Sequence, residues 1–107
     1  MLLPYRDLWW VPERQMAYYP ASMALILTKH ARDNVALYNL DPAWIEATIT
    51  SPQHTDRDPD DAILLRAWRR IPEHGGRVLR VVYRLAGADM VVVTAFFDRG
   101  VTRWLPP

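Results

Sequence analysis

Two short helices with well-marked ends, followed directly by strand-like segments, constrain the fold of this chain more than any other feature. Thr28 can cap a helix over residues 29–38, and Asn39 suits the left-handed conformation in which many helices end. Asp41-Pro42 then supplies an N-cap and a first helical residue whose missing N–H is no loss. The Ser51-Pro52 pair ends the second helix, because proline cannot continue it. The spacing therefore predicts two helices joined by a very short connection.

Four segments have the length and apolar content of β-strands. They are residues 23–28 before the first helix, and residues 62–71, 77–85 and 90–97 after the second helix. Glycine-containing turns separate the last three segments, which predicts two consecutive antiparallel hairpins. The acidic residues 53–61 have no period and are predicted to form a mobile loop. The expected fold is α+β, with two helices packed on one face of a small antiparallel sheet of three or four strands.

Alternation along residues 77–85 predicts which side chains of the sheet face the helices. From residue 78 onward, one side of this segment carries apolar and aromatic residues, namely Leu79, Val81, Tyr83 and Leu85. The other side carries Arg80 and Arg84 between valines. Arg66 and Arg70 share one side of the preceding segment, so pairing across the turn would bring them beside Arg80 and Arg84. We therefore expect four guanidinium groups on the face that the helices leave open, with acids of residues 53–61 as counter-charges.

The charge distribution agrees with this arrangement, although the formal net charge is only +1. Residues 33–61 hold seven acidic residues and one arginine, whereas residues 62–84 hold six arginines and one glutamate. Arginine presents planar, forked donors that suit phosphate and carboxylate groups. The basic segment therefore favours an anionic ligand, and the alternative explanation of its arginine content is a GC-rich coding bias.

Composition and spacing argue against several classes of protein and site. Cysteine is absent, which rules out disulfides, thiolate metal ligands and a cysteine nucleophile. His54 and the aspartates near it lack a metal-binding spacing, and we find no Gly-rich phosphate loop, so we predict neither a metal nor a cofactor. No apolar run approaches the roughly 20 residues of a membrane-spanning helix, and nothing resembles a signal peptide. We expect a cytoplasmic protein without membrane contact.

Residues 1–23 are predicted to form an amino-terminal extension of a single domain, which comprises residues 24–107. The extension combines prolines with many aromatic side chains and has no clean period. Trp9, Trp10, Tyr18 and Tyr19 are expected to anchor a protein interface, since tryptophan and tyrosine are common anchors there. Packing across the body of the domain and base stacking are the alternatives.

Five short motifs lie within residues 25–98. They are Thr28-Lys29-His30-Ala31-Arg32, Leu40-Asp41-Pro42, a helix that ends in Ser51-Pro52, Leu79-Arg80-Val81-Val82-Tyr83, and Val92-Val93-Thr94-Ala95. These motifs resemble the bacterial family called domain of unknown function 4258, which is grouped with the RelE-like toxins. The resemblance implies a RelE-like fold whose open sheet face carries basic residues that bind RNA, and a reaction that cleaves RNA at a 2′-hydroxyl. Tyr38-Asn39-Leu40 departs from the family, which often has an Arg-Gly-Ile type of turn there.

Under this resemblance the residues predict a metal-independent endoribonuclease of the toxin type. His30 is the candidate acid/base group, because an imidazole titrates near neutrality, and Arg80 is the candidate catalytic cation. The candidate RNA-binding residues are Arg32, Arg66, Arg70, Arg84 and Thr94. Each has an ordinary structural alternative: a histidine that holds the strand–helix junction, solvated arginines, and a threonine placed by its strand propensity.

Three hypotheses about function remain open at this point. A toxin would act on RNA or on the ribosome, and an acidic antitoxin would cover its basic sheet face. A non-catalytic module of the same fold would use this face, or the amino-terminal aromatics, to hold a protein or a nucleic acid. A homodimer built on residues 1–23, without chemistry, is the third hypothesis.

Overall fold

The computed structural model describes residues 24–101 and 103–107. Within them, two helices and five strands follow in the order β1 (Leu25–Leu27), α1 (Lys29–Tyr38), α2 (Pro42–Thr50), β2 (His54–Arg57), β3 (Leu65–Ile71), β4 (Arg77–Ala86) and β5 (Asp89–Phe97). Short 3-10 turns, Pro72–His74 and Arg99–Val101, follow β3 and β5. The predicted amino-terminal extension, with Trp9, Trp10, Tyr18 and Tyr19, lies outside the described residues.

Both helices begin and end where their cap residues predict. The Thr28 hydroxyl accepts a hydrogen bond from the Ala31 N–H at 3.1 Å, and Asn39 ends α1 in the left-handed conformation, with φ of 52°. Asp41 caps α2 by accepting from the Ala43 N–H at 2.9 Å. Each cap satisfies a backbone group that the helix itself leaves unpaired. No helix in the described ranges is long and apolar enough to cross a bilayer.

The five strands form one mixed sheet in the order β1-β5-β4-β3-β2. The α+β class with two helices is confirmed, but the prediction of an antiparallel sheet of three or four strands was wrong. After β1 the chain passes through both helices and re-enters the sheet at its far edge, as β2. β1 consequently lies parallel to β5, with Leu25 opposite Met90, while every other neighbouring pair is antiparallel.

The additional strand, β2, lies inside residues 53–61, which the sequence predicted to be a loop. β2 pairs with β3 so that His54 lies opposite Trp68 and Asp56 opposite Arg66. The acidic residues that follow form the turn, where the Asp58 carboxylate accepts from the backbone N–H groups of residues 60 and 61 at 2.8 and 3.1 Å. This turn extends to residue 64, so β3 is shorter at its start than the predicted segment 62–71.

The main hydrophobic core lies between the two helices and one face of the sheet. Its buried members are Leu25, Leu27, Ala31, Leu40, Ile45, Ile49, Ile71, Leu79, Val81, Met90, Val92 and Ala95, with Tyr83 packed against them. This confirms the side of β4 that was predicted to face the helices. Leu85 is the exception, because this side chain, next to the last residue of β4, is exposed.

A second, smaller core lies on the opposite face of the sheet. It consists of Trp68, Val78, Val101 and Leu105. The last residues of the chain therefore cover one end of this face, although the sequence showed them only as an aperiodic tail. We call the face opposite the helices the basic face, and the second core the carboxyl-terminal cover.

Candidate nucleic-acid interface

The register of β3 with β4 places the four predicted arginines on the basic face. Trp68 lies opposite Arg80, which puts Arg66 and Arg70, two residues to either side of Trp68, on the face that carries Arg80 and Arg84. Their even spacing along two neighbouring strands creates a row of guanidinium groups. Whether these groups are free to bind a ligand depends on what each of them already contacts.

Trp68 lies at the centre of this row and is itself buried. The guanidinium carbons of Arg66 and Arg80 lie 5.2 and 5.5 Å from the centroid of its ring, within the distance at which a cation is attracted to the ring face. Arg80 also lies 5.2 Å from the ring of Phe96. The indole N–H of Trp68 donates to Asp98 at 3.1 Å. Trp68 therefore positions the two arginines rather than offering its own ring to a ligand.

Arg66 is neutralised by a carboxylate on the neighbouring strand. Its Nε and Nη2 atoms donate to the two oxygens of Asp56 at 2.6 and 2.7 Å, which is the forked geometry of a strong arginine–carboxylate pair. The hydrogen bond from Arg66 holds the pKa of Asp56 below its ordinary value. Residues 53–61 were predicted to supply an acid that balances an arginine, and Asp56 does so. Asp56 lies on strand β2, whereas the prediction placed these acids in a loop.

Arg70 is occupied by the carboxyl-terminal cover. It donates to the backbone carbonyls of Gly76, Leu105 and Pro106 at 3.1, 2.8 and 3.3 Å. The carbonyl groups use its donors but leave its charge uncompensated. Arg70 therefore holds the last residues of the chain against the sheet, and three of its five N–H groups are already used there.

Arg80 and Arg84 retain capacity for a ligand. Arg80 has only a long ion pair with Asp98, at 3.6 Å, and its buried Nε lacks an acceptor in the described structure. The Arg84 side chain is partly exposed, and it makes neither a hydrogen bond nor an ion pair with residues 24–101 or 103–107. The two cations lie four residues apart on β4, about 13 Å along the strand, with Val82 between them on the same face. They are the strongest candidates for contact with an anionic ligand.

Two aromatic rings next to this row are accessible to solvent. Trp104 is 50% exposed, and His54 is exposed on β2. The His54 ring lies 4.8 Å from that of Trp104 and 5.3 Å from that of Trp68. Sequence reasoning missed this pair, because His54 was assigned to a loop and Trp104 to a tail. The spacing of two residues indicates that His54 and Asp56 would share a face if this segment were a strand, but it gives no sign of the contact between His54 and Trp104.

The remaining predicted site residues lie elsewhere. His30 and Arg32 are on α1, whose Ala31 belongs to the core on the helix side of the sheet. No hydrogen bond or ring contact joins His30 to the basic face in the part of the chain that the structure describes. The Thr94 hydroxyl donates to the amide oxygen of the buried Asn34 at 2.8 Å, so it links β5 to α1. The structure therefore brings together Arg66, Arg70, Arg80 and Arg84, but not His30, Arg32 or Thr94.

Comparison with known proteins places the chain in a family. A family model with the description "Domain of unknown function (DUF4258)" matches residues 27–97. The chain belongs to this family. The match spans both helices and β2 to β5, so the four arginines lie within the DUF4258 domain, whereas Val101, Trp104 and Leu105 lie beyond it. Neither the curated proteins nor the solved structures include a match to this chain.

Proposed function

We propose that this DUF4258 protein is a RelE-like protein that binds single-stranded RNA through its basic face. The observation that carries the proposal is that two incompletely paired arginines, Arg80 and Arg84, share the basic face with the accessible rings of His54 and Trp104. Proteins that bind single-stranded nucleic acid combine a basic track for the backbone with aromatic rings on which bases stack. Both parts are present here on one side of one sheet.

The phosphate contacts would come from β4. Within residues 24–101 and 103–107, no group accepts from the Arg84 guanidinium, and the Arg80 Nε is unsatisfied. Aromatic contacts already orient the Arg80 guanidinium, so less side-chain freedom is lost when it binds. Arg66 is held by Asp56 and would contribute little while that pair is intact.

The base contacts would come from the other edge of the basic face. Half of the Trp104 surface is open to solvent, and its ring makes edge-to-face contacts with the rings of Trp68 at 5.9 Å and His54 at 4.8 Å. A supported ring loses little freedom on stacking, and stacking of one base contributes about 1–3 kcal/mol by alanine substitution.

Binding to a fluorescent uridine oligonucleotide tests this proposal. Anisotropy should show binding to the full chain that weakens as salt is added, and Arg84→Gln and Trp104→Ala should each weaken it. Lys29→Gln is the matched control, because Lys29 is an exposed cation on α1, on the helix side of the sheet. A folded protein that does not bind the oligonucleotide, or that is weakened equally by Lys29→Gln and Arg84→Gln, would refute the proposal.

A second candidate function is RNA cleavage of the toxin type, and the position of His54 favours it. Cleavage at a 2′-hydroxyl needs a base for that hydroxyl, a proton donor for the leaving 5′-oxygen, and cations for the phosphate. His54 is the exposed titratable group beside the arginine row, whereas His30 lies on the helix side. We therefore assign proton transfer to His54 in this proposal, with Arg80 and Arg84 stabilising the phosphate.

Product analysis distinguishes cleavage from binding alone. Incubation with RNA, alone and with ribosomes, should yield fragments that end in a 2′,3′-cyclic phosphate, and His54→Gln should abolish them while His30→Gln does not. Under this proposal expression arrests growth, and an acidic antitoxin that covers Arg80 and Arg84 relieves the arrest. Intact RNA in both incubations would leave binding as the function of the basic face.

A further inference from the structure

Three apolar residues on the basic face are buried far from the carboxyl-terminal cover. Ile26, Val82 and Val91 are 3%, 5% and 7% exposed. The register puts them on adjoining strands, because Ile26 lies opposite Val91, and Val91 lies opposite Arg84, two residues from Val82. The residues that alternate with Ile26 and Val91 belong to the main core, so these three side chains lie on the other side of the sheet.

Neither the edge position of β1 nor the carboxyl-terminal cover accounts for this burial. In the described sheet β1 is an edge strand of three residues, so Ile26 has a strand beside it on one side only. Val82 lies four residues along β4 from Val78, the nearest member of the carboxyl-terminal cover on that strand, which is about 13 Å. Ile26, Val82 and Val91 belong to neither of the two cores described above. We call these three residues the apolar patch.

We propose that residues 1–23 of the same chain dock on the apolar patch and cover the basic face next to Arg84. The segment is attached at the patch itself, because Ala24 accepts a hydrogen bond from the Met90 N–H at 2.8 Å and leads directly into β1. Twenty-three residues reach about 75 Å when extended, so length does not restrict where the segment lies. The attachment gives it a high effective concentration, on the order of millimolar, against which a second copy must compete.

The composition of the segment fits this surface. It contains Trp9, Trp10, Tyr18 and Tyr19, and its two arginines are balanced by one aspartate and one glutamate. A segment with balanced charges and many aromatic rings gains from covering aliphatic side chains, and its rings can lie over the guanidinium of Arg84, which has no partner among the residues that the structure describes. An acidic segment would be the better complement to the whole arginine row, but the patch is apolar and lies at the end of that row.

Docking would let the amino-terminal segment of the chain control access of RNA to the basic face. A segment on the apolar patch shares the face with Arg84, so RNA and the segment compete for the same space. This consequence rests on the proposed RNA binding, whereas the docking itself does not. An amino-terminal segment that is displaced by RNA or by a partner would then expose the complete arginine row.

Spin labelling of the full chain tests the docking. The chain has no cysteine, so Ala17→Cys provides a single site for a nitroxide. In isotopically labelled protein the nitroxide should broaden the methyl signals of Val82 and Val91 severalfold more than the methyl signals of Leu37, which is exposed on α1. Equal broadening of all three would overturn the proposal. So would broadening of Val82 and Val91 that occurs only when label and isotope are on different molecules, because the occupant would then be a second copy.

A matched variant separates docking from its effect on RNA. Trp9→Ser/Trp10→Ser should remove the broadening of Val82 and Val91 while the methyl signals of the main-core residues Val81 and Val92 stay in place, and should raise the affinity for the uridine oligonucleotide severalfold. Persistence of the broadening in the double variant contradicts docking through these rings. Loss of the broadening without any change in RNA affinity supports docking and contradicts the RNA-binding proposal or its regulation.

Discussion

Asp56 neutralises the charge of Arg66, and Asp56→Asn should make the Arg66 guanidinium available to bind RNA. The substitution keeps the shape of the side chain and removes the negative charge that accepts both hydrogen bonds from the Arg66 guanidinium. Asp56 is 36% exposed and Arg66 is 19% exposed, so the pair is screened by solvent, and its loss should cost less than about 1 kcal/mol of stability. The variant should therefore fold as the wild type does.

The expected effect is a change in the salt dependence of RNA binding. Each phosphate that a cation contacts on a single strand adds about 0.7 to the slope of the logarithm of affinity against the logarithm of salt concentration. Release of one guanidinium should steepen the slope by about this amount, which for a fourfold dilution of salt is about 2.6-fold in relative affinity. Anisotropy titrations of the wild type and Asp56→Asn at several salt concentrations measure it.

Two further variants control this experiment. Asp33→Asn is the same substitution at an exposed ion pair on α1, where Asp33 accepts from Lys29 at 3.0 Å, and it should leave the slope unchanged. Asp56→Asn/Arg66→Gln restores the net charge of the wild type and should restore its slope. A slope that stays the same in Asp56→Asn, or that rises equally in Asp33→Asn, would refute the reasoning that Asp56 masks a binding cation.

Further measurements test the stability and pH dependence of the fold. Thr28→Ala should lower the free energy of unfolding by about 1 kcal/mol, measured by urea denaturation, because it removes the cap of α1. Leu105→Ala should lower it by about 2 kcal/mol or more and increase the solvent quenching of Trp68 fluorescence, since it opens the carboxyl-terminal cover; no change in either would show that this cover is not packed as described. Arg66 lowers the pKa of Asp56 in the folded state, so the stability from this pair is complete above the unfolded pKa of an aspartate and is lost as pH falls through the folded pKa. The stability difference between the wild type and Asp56→Asn should disappear over that acidic range, and a difference that persists below it would contradict the assignment.

Local signals made most elements predictable. Thr28, Asn39 and the Asp41-Pro42 pair mark the ends of the helices through chemistry that depends only on adjacent residues. Strand β4 was predictable because the face toward the helices is apolar and the other face carries Arg80 and Arg84, so its sequence alternates. β2 was not, because His54–Arg57 is an exposed edge segment that is extended by its pairing with β3 and not by its own apolar content.

The candidate site was predictable only in outline. Alternation placed four arginines on one face, but their remaining capacity to bind depends on residues distant in the sequence. Asp56 reaches Arg66 only because β2 exists, and Arg70 is occupied because the carbonyls of Leu105 and Pro106 return to the sheet. The proximity of His54 to Trp104 depends on both of these features, so no local pattern could show it.

The parallel pairing of β1 with β5 has a consequence for how the domain is made. Of the strands that the structure describes, the first to emerge during synthesis is paired only with the last, through partners about 65 positions apart, such as Leu25 and Met90. Leu25 and Leu27 therefore have no strand to pair with until the ribosome has released β5. Helix α1 likewise cannot pack in its final position before then. Translation that stalls before β5 should yield the hairpins of β2, β3 and β4 with their apolar side exposed to solvent. Chaperones and proteases recognise such a species.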